Sequence, residues 1–343
     1  MEKSNKWNQI IETQNGHPLQ LYGWGEVKES TGSWQAERFV RASADNTINF
    51  AQILIRSTPL GKFGYIPRGQ NLNDTFLQEL RVFAKQKNLF MLRFEPNVKA
   101  EDWKIWRFML EQPKDHILLA KTVQLDLTKS EGELLAAMDG TTRQNIRRGE
   151  RNPALVVRKA TNDDIDRILA IYHETAARSH FALHPDDYYH SILHNMGENN
   201  HIYVAEVDGR VEAFLWCVKT PAICFELYGG ATSIALEHRA NYLLKWQTIL
   251  GARGDSGCEH CGVNCRRQEG CQRPAVVRTT GITSHIYDIN GLLNDGISDF
   301  KRGFSGGVET QLAPTSDLVI KPFRYFLFAT FLPLAKRFFK LGK

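Results

Sequence analysis

Four cysteines lie close together in the last third of the chain, at Cys258, Cys261, Cys265 and Cys271. His260 and His285 lie nearby. In a reducing compartment, tetrahedral zinc is the commonest ligand for four close thiolates. The Gly-, Arg- and Gln-rich residues around them are too polar to form a core, so the pattern predicts a structural zinc site. An iron–sulfur cluster and reduced, unligated thiols are the alternatives.

A row of arginines near the middle of the chain is the second group that could do chemistry. At helical spacing, several guanidinium groups on one helix face are suited to following a phosphate backbone. The row consists of Arg143, Arg147, Arg148 and Arg151. A charge run of this kind is more often only a solvated helix face. Taken alone, the row therefore does not separate nucleic-acid binding from simple solvation.

The composition indicates a globular protein with room for two domains. The chain has 343 residues, of which 42% are hydrophobic and 24% are charged, and its formal net charge of +5 permits contact with phosphates without requiring it. The amino terminus is charged throughout, unlike a secretory signal, and no apolar stretch approaches the roughly 20 residues of a membrane helix. We therefore expect a cytoplasmic protein that does not span a bilayer, with buried thiols at Cys217 and Cys224.

Strand-like and helix-like segments alternate along the chain, which predicts an α/β or α+β fold. In the first half, strand patterns and helix patterns occupy 48–56, 74–88, 89–94, 100–112 and 120–127. A second series begins with a strand at 154–160, and its further helices and strands occupy 163–178, 186–196, 202–207, 211–219 and 223–230. The order strand, helix, helix and then a strand meander is that of the GNAT acyltransferase fold, although fold order alone does not fix a reaction.

Short motifs follow in a fixed order over nearly the whole chain. They are QLYGWGEVK at 20–28, GYIPRG at 64–69, LDLT at 125–128, TRQNIRR at 142–148, TAAR at 175–178, YGGA at 228–231, YDING at 287–291 and GISDFKRGF at 296–304. Together they resemble the FemABX family of non-ribosomal peptidyltransferases, and the Phe-Lys-x-x-Phe ending is the most diagnostic. The chain resembles the compact members, without a long helical arm, and the Cys-rich segment at about 251–283 is an insertion relative to the family.

This resemblance implies a fold and an activity. The fold would be two GNAT-like domains across a cleft, one at 1–135 plus 315–343 and the other at 136–314. The activity would be transfer of Gly, Ala or Ser from aminoacyl-tRNA to the stem peptide of a peptidoglycan precursor, either lipid II or UDP-MurNAc-pentapeptide, in interpeptide bridge formation. No cofactor is needed for this catalysis, and we expect a monomer.

The chemistry of such a transfer requires charge stabilisation and removal of a proton. As the acceptor amine attacks the ester, negative charge collects on the carbonyl oxygen, and a fixed cation in a poorly hydrated site stabilises it. The resemblance assigns this role to Lys301, with Phe300 beside it, and a surface lysine is the alternative. Asp288 is the candidate general base. It could equally serve only to hold the turn that follows it.

The precursor carries phosphate groups, which lysine and arginine bind well. The resemblance assigns precursor binding to Lys28, Arg68, Arg178, His184, Tyr188 and Tyr228, and tRNA binding to the arginine row. His184 stands where the family usually has an arginine, and a neutral imidazole lacks the charge and forked geometry of a guanidinium. Solvated surface positions are the alternative for Lys28 and His184.

The carboxyl-terminal tail admits two interpretations. From Lys321 onward it has six basic and no acidic residues among many aromatic ones. The segment could lie on the inner face of an anionic membrane, or it could bury its apolar face on the first domain, as in the family.

The sequence leaves two rival functions open. The first is an acyl-CoA-dependent N-acyltransferase, but the stretch from His238 lacks the glycine-bearing pyrophosphate loop. The second is a non-catalytic tRNA- or precursor-binding homologue. Retention of Phe300 and Lys301 argues against that homologue.

Overall fold

The protein is described here from a computed structural model that covers residues 2–42, 47–70, 72–103, 110–113, 115–254, 282–293 and 296–338. The helices are α1 (Glu2–Thr13), α2 (Tyr22–Ser30), α3 (Asp74–Gln86), α4 (Glu131–Ala137), α5 (Gly140–Arg151), α6 (Ile165–Ser179), α7 (Asp186–Met196), α8 (Ser233–Glu237), α9 (Ala240–Arg253), α10 (Gly296–Gly303) and α11 (Pro322–Phe338). The strands are β1 (Gln35–Ala42), β2 (Ile48–Thr58), β3 (Gly61–Pro67), β4 (Leu89–Glu95), β5 (Lys121–Thr122), β6 (Gln124–Asp126), β7 (Leu155–Lys159), β8 (Asn200–Val207), β9 (Arg210–Lys219), β10 (Ile223–Ala231), β11 (Ile286–Asp288), β12 (Thr310–Gln311) and β13 (Ser316–Val319).

The chain divides into two compact units. Unit 1 consists of Met1–Lys121, Asp187–Met196 and Thr310–Lys343, and unit 2 of Thr122–Asp186 and Gly197–Glu309. The boundaries predicted from the sequence lie at 135 and 314, and no sequence pattern indicates that most of α7 belongs with unit 1. The packing of α7 on α2 is the physical reason, because Gly23 lies so near α7 that a Cβ there would meet the Asn195 carbonyl oxygen at 2.0 Å.

Unit 1 is built on a five-stranded sheet in the order β1-β2-β3-β4-β13. Strands β1, β2 and β3 are antiparallel neighbours, and β4 pairs parallel to β3. A parallel neighbour requires a crossover connection, which α3 supplies. Asn73 caps α3 by accepting a hydrogen bond from the Phe76 amide, and the helix buries an apolar stripe that includes Leu80 and Phe83 in the core of the sheet.

Unit 2 is built on a six-stranded sheet in the order β6-β11-β10-β9-β8-β7. Strands β8, β9 and β10 form an antiparallel meander, and β11 pairs parallel to β10 with Cys224 opposite Tyr287. The helix that precedes β11 is α9, which is buried on nearly all sides and packs Leu243, Trp246 and Ile249 into the core. Its buried residues also include the polar Lys245, Gln247 and Thr248, so α9 is buried on more than its apolar face.

The two units share one pattern, in which three antiparallel strands are followed by a crossover helix and a parallel strand. This is the core order of the GNAT fold, and the prediction of a mixed α/β protein with two GNAT-like domains is confirmed. Most predicted elements are present close to their expected limits. The predicted strand at 120–127 is divided into β5 and β6, and most of the predicted helix at 100–112 lies outside the described residues.

Candidate active site

Lys301 lies on the short helix α10 of unit 2, where its ammonium group is held by backbone dipoles. Its Nζ donates hydrogen bonds to the carbonyl oxygens of Asn290, at 2.6 Å, and Gly291, at 2.8 Å. Both residues have positive φ, 55° and 21°, which turns the chain sharply after β11. The side chain is half-buried. A cation fixed in this way requires little reorganisation when a negative charge develops beside it.

Helix α10 is held closely against α5. Gly303 lies where a Cβ would be 2.3 Å from the Thr142 hydroxyl oxygen, so only glycine permits this approach. The carbonyl oxygen of Gly303 also accepts a hydrogen bond from the Asp139 amide at 2.9 Å. Because Gly303 lies two residues after Lys301, this contact helps to fix the position of the Lys301 backbone relative to α5.

Phe300 is part of an aromatic cluster rather than a solvent-exposed neighbour of Lys301. Its ring meets Tyr242 nearly edge-on at 4.9 Å between centroids, and it meets Phe304 at 5.3 Å. Phe304 is buried, and Phe300 is half-buried. Tyr242 could not be predicted from the sequence, since one tyrosine in a mostly apolar helix carries no distinguishing pattern.

Asp288 is completely buried, and donors surround its carboxylate. It accepts hydrogen bonds from the Thr122 hydroxyl at 2.6 Å, the Gln124 amide at 2.9 Å and the backbone N–H of Asn290 at 2.7 Å. A carboxylate satisfied in this manner is costly to disturb. The geometry therefore favours the interpretation in which Asp288 holds the turn, and through it the carbonyl group that binds Lys301, over a role as general base.

Lys28 and Tyr188, two of the residues that the resemblance assigned to the precursor, meet in unit 1. Lys28 Nζ donates to the Tyr188 hydroxyl at 2.5 Å, and it lies 4.8 Å from the Tyr188 ring and 4.7 Å from the Trp24 ring. Burial lowers the pKa of Lys28 to about 8. A partly desolvated ammonium between two aromatic faces is well prepared to bind an anion. Trp24 was not selected from the sequence.

Arg68 lies in the interior of unit 1. The side chain is buried, its backbone has a φ of 48°, and one guanidinium nitrogen donates to the Leu119 carbonyl oxygen at 2.8 Å. A guanidinium bound inside unit 1 supports the loop that it contacts. The geometry therefore favours a supporting role for Arg68 inside unit 1, and its assignment as a precursor ligand stays a prediction.

The remaining predicted precursor residues belong to unit 2. Arg178 is exposed at the end of α6 and donates to the Ala231 carbonyl oxygen at 2.7 Å. His184 is exposed in the segment before α7. Tyr228 lies on β10 with its ring 5.4 Å from that of Tyr172. The predicted precursor ligands are thus divided, with Lys28, Arg68 and Tyr188 in unit 1 and the other three in unit 2.

All four arginines of the predicted row line one open pocket in unit 2, with a volume of about 890 Å³. Arg147, Arg148 and Arg151 are exposed, whereas Arg143 donates to carbonyl groups at the carboxyl end of α4, including that of Met138. His238, just before α9, adds to the wall and contacts the Asn152 side chain at 3.2 Å. No sequence pattern had indicated this contribution from His238.

Of the six cysteines, the structure describes only Cys217 and Cys224. The cluster from Cys258 to Cys271 lies outside the described residues, and no group of three or more candidate metal ligands occurs in the part of the chain that is described. Cys217 and Cys224 are free and buried as predicted, and burial raises the pKa of the Cys224 thiol well above its usual value.

Helix α11 combines a buried face with an exposed one. Phe328 packs on Phe90 at 5.3 Å and on Phe63 at 5.8 Å, within the core of unit 1. Phe323 and Phe326 are 74% and 63% exposed. Both interpretations of the tail therefore have a structural counterpart. Among the described helices, none has the length and apolar character needed to cross a membrane.

A family model and several solved structures match this chain. The model of the FemAB family matches residues 3–121 and 112–214. A crystal structure of FemX superposes with a TM-score of 0.78 at 15% identity, covering 95% of this chain and 98% of that one. The carboxyl-terminal domain of a putative lysylphosphatidylglycerol synthetase from Agrobacterium fabrum superposes with a TM-score of 0.52 at 13% identity, covering 96% of each chain. No curated protein sequence matches the chain.

Proposed function

This chain belongs to the FemAB family, and we propose that it transfers an amino acid from aminoacyl-tRNA to the stem peptide of a peptidoglycan precursor. The family supports a peptidoglycan interpeptide-bridge aminoacyltransferase in general. The finer proposal names Gly, Ala or Ser as the amino acid and lipid II or UDP-MurNAc-pentapeptide as the acceptor. Charged tRNA is a cytoplasmic reactant, so we place the reaction on the cytoplasmic side of the membrane.

The observation that carries this proposal is the fixed ammonium group of Lys301. In the reaction, the acceptor amine forms a C–N bond to the ester carbonyl carbon, and the bond from that carbon to the tRNA ribose oxygen breaks. The amine proton leaves to solvent, and the ribose oxygen gains a proton. After the C–N bond has formed and before the bond to the ribose oxygen breaks, the carbonyl oxygen carries negative charge. A nearby ammonium stabilises this charge. Lys301, held by two carbonyl oxygens, is suited to this role.

Lys28 supplies the precursor site in this proposal. A diphosphate carries charge in both the ground state and the transition state, so a cation that binds it affects affinity rather than turnover. The aromatic faces of Trp24 and Tyr188 hold the ammonium in a desolvated position, which strengthens its attraction to phosphate. Tyr188 can contribute its hydroxyl to the same phosphate.

The arginine pocket supplies the tRNA site. Arg147, Arg148 and Arg151 project from one helix into a shared open space, the arrangement that a phosphate backbone requires. Arg143 acts differently, since its hydrogen bonds to the end of α4 join two helices. A matched control for these arginines is Arg167, which is equally cationic on α6 but paired with Glu212.

A peripheral contact with the inner membrane face is a further part of the proposal. Phe323 and Phe326 present exposed apolar surface beside the cations of Lys321 and Arg324. Aromatic and basic side chains together favour the interface of an anionic bilayer. Such a contact would bring the protein to a lipid-linked acceptor.

The decisive experiment offers the purified protein total charged tRNA together with lipid II or UDP-MurNAc-pentapeptide. We expect the mass of one precursor to increase by one glycine, alanine or serine residue, and the increase to disappear when the tRNA is deacylated. A parallel reaction replaces charged tRNA with acyl-CoA. Acylation only from CoA, or no extension of either precursor by any charged tRNA, would contradict the proposal.

A further inference from the structure

A buried ion pair lies beneath the aromatic cluster of unit 2. Lys245 on α9 and Glu226 on β10 have side chains that are 6% and 8% exposed, and Lys245 Nζ lies 2.5 and 2.7 Å from the two carboxylate oxygens. Removing two charges from water is costly, and apolar replacements of such pairs are often neutral or stabilising. A contribution to stability therefore does not by itself explain this pair, and its contacts indicate another role.

The lysine of the pair contacts the helix that carries Lys301. Its Nζ lies 5.5 Å from the ring centroid of Phe300 and 5.8 Å from that of Phe304. Phe300 is the aromatic residue of α10, and Phe304 directly follows the end of the helix. A helix of eight residues has little stability of its own, so its position depends on packing. Cation–π contacts in a desolvated site are among the stronger packing interactions available.

The glutamate of the pair is joined to the turn that binds the Lys301 ammonium. The backbone oxygen of Glu226 accepts a hydrogen bond from the Asn290 side chain at 3.0 Å, and its carboxylate accepts one from the Tyr287 hydroxyl at 2.9 Å. Glu226 also lies at an irregularity in the pairing of β10 with β9. Lys245 and Tyr287, which lie on other elements, bind its carboxylate.

Lys301 is therefore connected to the ion pair in two ways. The helix that carries Lys301 contacts Lys245, and the turn whose carbonyl groups bind the Lys301 ammonium is bonded to Glu226. We propose that the Lys245–Glu226 ion pair positions the Lys301 ammonium for catalysis. Lys245 and Glu226 are positioning residues and do not touch the substrate. The expected effect on transfer rests on the proposed function, whereas the placement of the ammonium can be measured without substrate.

The test replaces the pair by a neutral one of similar volume, Lys245→Met with Glu226→Gln. No buried charge is then left without a partner, and Gln can still accept from Tyr287. Phe304→Leu is the second variant, which removes one ring from Lys245 while keeping an apolar side chain. The control is Arg93→Met with Asp317→Asn, which neutralises a pair of similar burial in unit 1.

Two readouts are taken for each variant. The first is steady-state transfer, in which the neutral pair should lower kcat roughly 10-fold or more with the precursor KM unchanged, because a misplaced ammonium stabilises the oxyanion less well. The second is acetylation of Lys301 under limiting reagent, measured by peptide mass. It should increase several-fold, since an ammonium released from its two carbonyls is more accessible.

Unchanged Lys301 labelling in a folded variant overturns the proposal, whatever happens to turnover. So does wild-type kcat in the neutral pair. If the neutral pair does not fold, the same two readouts on Phe304→Leu decide, with smaller changes in the same directions expected. If the wild type transfers nothing but labelling still responds, the proposed function fails and the positioning role stands. The control also removes the Arg93 partner of Asp115, so it should lose thermal stability while keeping wild-type labelling and kcat.

Discussion

Replacement of Lys301 by methionine tests the proposed chemistry most directly. Methionine has nearly the length of lysine and packs in similar space, but it removes the charge and the hydrogen bonds to Asn290 and Gly291. If the ammonium stabilises the oxyanion, Lys301→Met should lower kcat while leaving the precursor KM nearly unchanged, because the interaction is made chiefly in the transition state.

The magnitude follows from the surroundings of the side chain. Lys301 is half-buried, so an intermediate effective dielectric applies, and two unit charges at about 4 Å then attract by about 4 kcal/mol. Two backbone carbonyl groups already accept hydrogen bonds from the ammonium, so its net stabilisation of the oxyanion is somewhat smaller. A loss of about 3 to 4 kcal/mol corresponds to a decrease in kcat of roughly 100- to 1000-fold, the range found for single oxyanion donors.

The assay measures single-turnover extension of the precursor by mass, with charged tRNA in excess. Arg302→Met is the matched control, since Arg302 is the next residue on α10 but pairs with Asp299 and Glu309. It should retain turnover within a few-fold. If Lys301→Met keeps wild-type turnover at saturating substrates, or loses only precursor affinity, Lys301 is not the oxyanion cation.

Four further outcomes are expected. Because burial lowers the Lys28 pKa to about 8, the charge is present below that pH and lost above it, so the precursor KM should rise between about pH 7 and 9 in the wild type but not in Lys28→Met. Arg147→Gln and Arg151→Gln should weaken tRNA binding. They should also reduce the slope of log affinity against log salt concentration by about 1 per lost phosphate contact, and an unchanged slope would show that the pocket does not bind tRNA. Protein never exposed to chelator should contain stoichiometric zinc, and the absence of both zinc and iron would refute a metal site in the Cys-rich insertion. Phe323→Ser with Phe326→Ser should reduce sedimentation with anionic vesicles, whereas equal sedimentation would leave α11 as packing for unit 1 alone.

The sequence predicted most of the elements and several candidate site residues. Strand and helix periods are local properties, so the meander of unit 2 and the helical face of the arginine row could be predicted from residue types a few positions apart. The Phe-Lys-x-x-Phe motif similarly indicated Phe300 and Lys301 before any contact was known. Glycine at 303 marked a close approach only once α5 was seen beside α10.

The tertiary structure decided what these residues touch. Lys28 meets Tyr188 from 160 positions away, and Asp288 receives the hydroxyl of Thr122 from 166 positions away. No local pattern encodes such pairs, because they depend on how α7 packs and on which strands become neighbours. For the same reason the sequence did not show that Arg68, a motif residue, lies in the interior of unit 1. The burial of Lys245 in a mostly apolar helix could not be predicted either. Its ion pair depends on Glu226, which lies on a different element, β10.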